Sequence, residues 1–249
     1  RVISRLLSAN LTLDNTLRED AAQFRMRLEA PHAVVVADPG ANDAHVLGMA
    51  ARTAARYLGL PAAVGERAGR VVVLVECTRA QLVDDYCQRF LVETRLLDDP
   101  IHLGASARHN DAVTLHHAYE QALESLTLLP TLGGDRQVAH FDELGLLHWL
   151  HALPPDTFAE NAYARHLQHL DEHDRTRGGE LLHTLDVFLE CDGNGVRAAE
   201  RLIVHRHTLK YRLHRIEHIC GVDLSDPFCK LNLRTALLSR RMRDGHRGD

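Results

Sequence analysis

The chain predicts an α+β fold, a mixed sheet covered by helices, followed by an all-α module. Short apolar runs rich in β-branched residues, HAVVVAD at 32–38 and VVVLV at 71–75, alternate with segments of helical period. From Asp142 onward the strand signal stops. Helical spacing alone remains, broken at Gly178-Gly179, at Gly193-Asn194-Gly195 and between Gly221 and Pro227. With 249 residues, 45% of them hydrophobic and 25% charged, the chain holds apolar material for one large or two ordinary domains, which excludes disorder.

Val2, Ile3, Leu6 and Leu7, then Leu17, Ala21, Phe24 and Leu28, recur at helical spacings, so residues 1–30 form a helical lead-in. HAVVVAD after Pro31 is a buried strand. A helix from about Asn42 to Leu58 closes at Gly59 and Pro61. AAVGERAGRVVVLVE reads as a hairpin around a turn containing Gly65 and Gly69. Helical spacing returns from Ala80 to Leu97, IHLGAS is a short strand, a helix covers about Asp111 to Leu129, and QVAHF is the last strand. These elements place an α+β domain at 31–150, a helical linker at 151–179 and an all-helical domain at 180–243.

The formal charge of −5 hides a polarity. Between Gly195 and Arg243 stand eleven Lys and Arg against four Asp and Glu, a local balance of +7 that leaves −12 for the rest. A basic end on an acidic body points to a polyanionic partner. The longest wholly apolar stretches have five residues, where a bilayer span needs about 20, so no membrane partner is expected. Five cysteines, at 77, 87, 191, 220 and 229, include no C-x-x-C pair, which fits a reducing cytoplasm. The chain starts at Arg1 without a basic-then-apolar leader, as expected of a piece of a larger soluble protein.

The most informative stretch is NGVRAAERLIVHRHTLKYRLHRIEHICG, 194–221. Asn194 can cap a helix whose apolar face is Val196, Ala199, Leu202 and Ile203, and small Ala198 and Ala199 admit a close neighbour. After a short turn at Val204 and His205, a second helix sets Leu209, Leu213, Ile216 and Ile219, with part of Tyr211, inward. Arg206, His207, Lys210, Arg212, His214 and Arg215 face outward, and Gly221 ends the helix. This is the pattern of a helix-turn-helix, whose second helix fits a DNA major groove about 12 Å wide. The candidate DNA-binding residues are His205, Arg206, His207, Thr208, Lys210, Tyr211, Arg212 and Arg215. Arg can read guanine, Lys can neutralise phosphate, and Thr208 in the first turn can bond a phosphate. Other readings stand beside these: His205 as a helix cap, Tyr211 as core, Arg212 and Arg215 as solvated charge. One such helix buries little surface, so a homodimer with its helices about 34 Å apart on double-stranded DNA is expected.

Residues 180–238 resemble the C-terminal helix-turn-helix of the PucR/CdaR family of bacterial transcriptional regulators. The resemblance rests on an E-L-L-x-T-L opening, an A-x-x-L-x-V-H-R-x-T-L-x-Y-R-L centre, a G-x-D-L-x-D-P connection and a closing L-x-L-x-x-A-L helix. Residues 31–150 are similar to that family's middle domain, a relative of the GGDEF cyclase fold, with AYEQALESL and FDELGL as markers. The resemblance implies a DNA-binding transcriptional regulator with a degenerate GGDEF-like domain. A small-molecule effector would be sensed by an upstream domain absent from this sequence.

No enzyme, cofactor or metal is expected. A GGDEF enzyme needs its signature on a hairpin and carboxylates that hold magnesium at the end of the first strand. The hairpin here reads GERAGR, and the strand ends Ala37-Asp38-Pro39. Gly133-Gly134-Asp135-Arg136 lies between a helix and the last strand, where it reads as a turn. His214-Arg-Ile-Glu217-His218 matches an inverted zinc-peptidase pattern but falls inside the DNA-reading helix. His166, His169 and His173 share a helix face, a coincidence that eighteen histidines make common. The rival readings are an interaction module whose α+β domain binds a nucleotide or partner, a nucleotide cyclase, and a zinc hydrolase.

Overall fold

The structure is a computed structural model that describes residues 2–8, 11, 14–154, 157 and 161–245. Arg1, the side chain of Val2, and 155–156 and 158–160 of the expected linker lie outside the described residues. The chain divides into two compact units, Arg1–His148 and Trp149–Asp249.

The N-terminal unit runs α1 (Val2–Leu6), α2 (Asn15–Ala22), β1 (His32–Asp38), α3 (Ala44–Tyr57), β2 (Ala62–Arg67), β3 (Arg70–Glu76), α4 (Gln81–Glu93) and β4 (His102–Ala105). A 3-10 turn (Ala112–Thr114) leads into α5 (Leu115–Leu132), β5 (Val138–His140), α6 (Phe141–Leu144) and α7 (Leu146–Ala152), the last crossing the division between units. The strands form one mixed sheet in the order β2-β3-β1-β4-β5. β1 is antiparallel to both neighbours, and only the β4–β5 pair is parallel.

The apolar run of β1 follows from burial on both faces. Ala33, Val35 and Ala37 join Val71, Val73, Tyr86 and Phe90 in one core. Val34 and Val36 join Val72, Leu74, Leu115 and Ala118 in the other. Ile3, Leu6, Leu7, Leu17, Ala21, Met26 and Leu28, from the segment expected as a lead-in, complete that second core. Water-facing alternation is therefore absent from β1, although its partners are antiparallel.

Gly65 does not turn the hairpin. It sits inside β2 opposite Val72, where a Cβ would stand 3.3 Å from Ile3 Cδ1, so its missing side chain makes room for α1. The turn is Ala68-Gly69, at φ 50° and 75°, the left-handed pair that a two-residue hairpin requires. α3 starts two residues later than expected because Asp43 caps it, accepting from His45 N at 2.7 Å. The side chain of Asn42 instead donates to Pro39 O and Asp99 O. α4 stops at Glu93, short of the expected Leu97, and Leu96 is 98% exposed. α5 continues through Pro130, whose lost N–H falls in its last turn.

All five cysteines are free and buried. Burial pushes the Cys77 and Cys220 thiols up to about 11, so they stay protonated. No described helix is long and apolar enough to cross a membrane.

His32 opens β1 fully buried, with neither ring nitrogen hydrogen-bonded. Its cross-strand neighbour Glu76 accepts from Arg27 Nη2 at 2.5 Å and from Arg27 N at 2.9 Å. Burial lowers the His32 pKa and outweighs the pull of Glu76 and Glu29, which favour the cation. With the folded pKa below the unfolded one, the unfolded chain takes the proton first, and stability falls as pH drops below about 6.5. His32→Leu is expected to stabilise by about 1 kcal/mol at pH 8 and by more at pH 5.5. Urea unfolding at the two pH values checks this, and equal gains would contradict it.

Candidate nucleic-acid interface

The C-terminal unit continues with α8 (Ala162–Arg177), α9 (Leu181–Glu190), α10 (Gly195–Arg201), α11 (Arg206–Cys220) and α12 (Pro227–Gly245). Leu167, Leu170, Leu185, Phe188, Ala198, Leu209, Ile216 and Leu233 meet in one core. Gly178, at φ 64°, ends α8. Asp174 reaches past it to accept from Leu181 N at 3.0 Å and Leu182 N at 2.9 Å, which caps α9 from the preceding helix.

Asn194 caps α10 as its spacing predicts, accepting from Val196 N at 3.0 Å and Arg197 N at 3.2 Å. The buried face of α10 is narrower than expected. Ala198 and Ala199 are buried, whereas Val196 and Ile203 are exposed. α10 ends at Arg201, and Ile203 lies beyond it at φ 54° while Val204 N bonds Ala199 O at 3.0 Å. This is a Schellman closure with a β-branched residue where glycine is favoured. Ile203 is 91% exposed, so little packing offsets the strain. Ile203→Gly is therefore expected to stabilise the unit by about 1 kcal/mol. A denaturation midpoint that does not rise would refute this.

α11 starts behind His205, whose Nδ1 accepts from His207 N at 3.3 Å and whose ring stacks on that of His207 at 5.2 Å. His205 thus does cap the helix. Leu209, Ile216 and Cys220 seat α11 in the core, with Leu213 and Ile219 half-buried. His205, Arg206, His207, Thr208 and Lys210 are exposed, and Tyr211 is 63% exposed rather than core. Among the described residues, the side chains of Arg206, Thr208 and Lys210 have no hydrogen bond or ion pair.

Arg212 and Arg215 depart from the expected outward set. Arg212 Nη1 donates to Thr184 Oγ1 at 3.2 Å and to Glu180 Oε2 at 3.3 Å, and its side chain is 23% exposed. Arg215 donates to Tyr211 Oη at 3.0 Å and contacts His173 Nε2 at 3.1 Å. That nitrogen accepts only in the tautomer protonated at Nδ1. Both guanidiniums tie α11 to its own scaffold. His173, Glu180 and Thr184 carry no sequence mark of that task; they meet α11 only once α8 and α9 have packed.

The basic character of this end is also more local than the sequence suggests. Residues 149–249 hold fifteen Lys and Arg against fifteen Asp and Glu. Glu190 pairs with Arg201 at 2.6 Å and Arg241 at 2.7 Å; Asp186 also meets Arg241; and Asp171 meets Arg240 at 3.2 Å. Burial raises the Glu190 pKa, but Arg241, Arg201 and Arg234 together outweigh it and hold the carboxyl below its usual value. Internal pairing therefore takes Arg201, Arg240 and Arg241 out of the free positive charge, whereas Arg206 and Lys210 on α11, like Arg197 on α10, stay exposed and, among the described residues, unpaired.

The other histidine patterns resolve locally. His214 lies 3.7 Å from Glu217 Oε2, while Glu217 Oε1 accepts from Leu224 N at 3.0 Å and holds the following loop. His166 packs edge-on against Tyr163. In the N-terminal unit, Asp38 at the end of β1 accepts from Gly40 N and faces Arg70 Nε at 3.8 Å. Gly133 and Gly134, at φ 74° and 71°, form a turn.

Residues 181–239 match the family described as the PucR C-terminal helix-turn-helix domain, and residues 9–128 match the GGDEF-like domain. The chain carries both a PucR-type helix-turn-helix and a GGDEF-like domain. Among the relatives of this chain, the proline-responsive transcriptional activator PutR of Bacillus subtilis (strain 168) is 23% identical over 96% of this chain and 62% of its own length. The DNA-binding transcriptional activator AdeR of the same organism is 27% identical over 62% of this chain and 37% of its own. The purine catabolism regulatory protein of that organism is 45% identical over 25% of this chain and 12% of its own. The chain thus spans less than two thirds of each of these relatives. A solved regulator of polyketide synthase expression from Bifidobacterium adolescentis covers 98% of this chain, and 92% of its own, at 23% identity with a TM-score of 0.45, a likeness too loose to carry an argument.

Proposed function

We propose that this chain is the DNA-binding part of a transcriptional regulator and reads duplex DNA with the N-terminal half of α11. The observation that carries this reading is the exposed start of α11, where Arg206, Thr208 and Lys210 are free on a helix seated by Leu209 and Ile216. Arg206 would probe base edges, Lys210 and Thr208 would meet phosphates, and His207 and Tyr211 would flank them. His205 shapes the helix start. Arg212 and Arg215 act first as anchors of α11 and reach DNA only by leaving their present partners. Two copies would place two such helices on a palindromic site, and an effector sensed by a further domain would alter that pairing.

The GGDEF-like domain is read as non-catalytic. Asp38 already faces the Arg70 guanidinium, and the hairpin closes in a two-residue Ala68-Gly69 turn in place of a glycine-rich phosphate loop. The name transcriptional activator on the relatives PutR and AdeR supports the same reading.

Duplexes selected from a randomised pool, titrated with the chain at several salt concentrations, test the proposal. Log affinity should fall with log salt at about −0.9 per neutralised phosphate, and the selected duplex should bind more tightly than random DNA. No binding at low salt would overturn it, as would GTP turnover with magnesium for the non-catalytic part.

A further inference from the structure

A groove of about 680 Å³ opens in the N-terminal unit between the turn after α2, the C-terminal half of α3 and the start of β2. Arg25, Arg52 and Arg56 line it, and no Asp or Glu does. That composition runs against its surroundings. Residues 1–148 carry fourteen Lys and Arg against nineteen Asp and Glu. Among the described residues, six other arginines there pair with carboxylates, among them Arg5 with Asp14, Arg27 with Glu76, Arg89 with Glu93 and Arg136 with Glu143, whereas Arg67 and Arg108 donate to the carbonyls of Leu7 and Thr78.

Arg52 and Arg56 sit one turn apart on α3, a like-charge spacing that costs about 0.2–0.5 kcal/mol. Arg52 Nη2 donates only to Val64 O at 3.3 Å, and Arg56 Nη2 only to Thr53 Oγ1 at 3.2 Å. Each guanidinium has five N–H donors, so most of them remain unused. Arg25 lines the groove from the turn after α2 at φ 58°, a left-handed position that a glycine would occupy without strain. Phe24 and Met49, 36% and 48% exposed, add an apolar wall.

We infer that this groove binds a small organic anion, a phosphate ester or a dicarboxylate, that also carries an apolar group. Three guanidiniums without a counter-charge suit an anion of more than one charge, held in two-point fashion. Phe24 and Met49 suit the apolar group, and the volume lies in the range of small-molecule sites, about 300–1,000 Å³. None of Asp38, Ala68, Gly69 and Arg70 lines the groove, so it is not the degenerate counterpart of a cyclase centre.

Calorimetric titration of the chain with phenyl phosphate, phthalate, inorganic phosphate and benzyl alcohol, at fixed ionic strength, tests the inference. Phenyl phosphate or phthalate should bind at millimolar concentration or below and more tightly than inorganic phosphate, and benzyl alcohol should not bind. Binding of phenyl phosphate alone identifies a phosphate ester as the ligand class; binding of phthalate alone identifies a dicarboxylate. The double variant Arg52→Gln/Arg56→Gln should lose about tenfold or more in affinity. Its thermal midpoint should hold or rise, because a like-charge pair is removed. Arg25→Gly, which relieves strain, should weaken binding while also holding the midpoint. No binding by either organic anion, or equal affinity in the double variant, would overturn the inference.

Discussion

Gly104→Ala is expected to cost the N-terminal unit about 3 kcal/mol or more, a large share of a domain's usual margin of about 5–15 kcal/mol. A Cβ at Gly104 in β4 would lie 2.1 Å from Ala122 O, 2.5 Å from Leu126 N and 2.8 Å from Leu126 Cβ. The first two are backbone atoms of α5 and cannot swing aside as a side-chain end can. Relief requires moving α5 as a body, and α5 supplies Leu115, Ala118 and Ala122 to the core on that face of the sheet. Close packing makes such a shift expensive. Soluble yield and urea midpoint measure the effect. A variant as stable as the parent would show that α5 can lift off β4 at little cost.

Arg206→Ala is expected to weaken binding to the selected duplex by about 1–3 kcal/mol, roughly fivefold to 150-fold, and to weaken binding to random DNA less. Arg206 is exposed and unpaired, so its removal leaves the fold of α11 untouched and the loss falls on DNA contacts. Lys210→Ala should instead weaken both duplexes alike and reduce the salt slope by about 1. Arg212→Ala differs in kind. It breaks the bonds to Thr184 and Glu180, so the thermal midpoint should fall along with the affinity. Equal losses for Arg206→Ala on both duplexes would reduce Arg206 to a phosphate contact. An unchanged affinity would remove α11 from the DNA interface.

The legible parts of this molecule were those written in local period. HAVVVAD and VVVLV became the central strands, and Asn194, Ala198-Ala199 and Leu209 became the cap and joint of a helix-turn-helix, because capping and face periodicity act within one or two turns. Local signals misled where one residue type serves two ends. Gly65 resembled a turn residue and proved to be clearance for Ile3, whereas Gly69 does stand in the turn, beside an Ala68 that takes a left-handed position with no glycine to mark it. Ile203 continued the apolar stripe of α10 in the sequence, but the helix had already closed before it.

The amino-acid order by itself determined which helix carries basic side chains, where it begins and what joins it to its companion. Only the tertiary structure decided which of those cations stay free. Arg212 finds Glu180 across 32 residues and Arg215 finds His173 across 42, while Asp186 and Glu190 draw Arg241 from more than 50 positions away. Charge neutralisation depends on distances of a few ångströms in space, and periodicity along the chain holds no information about those.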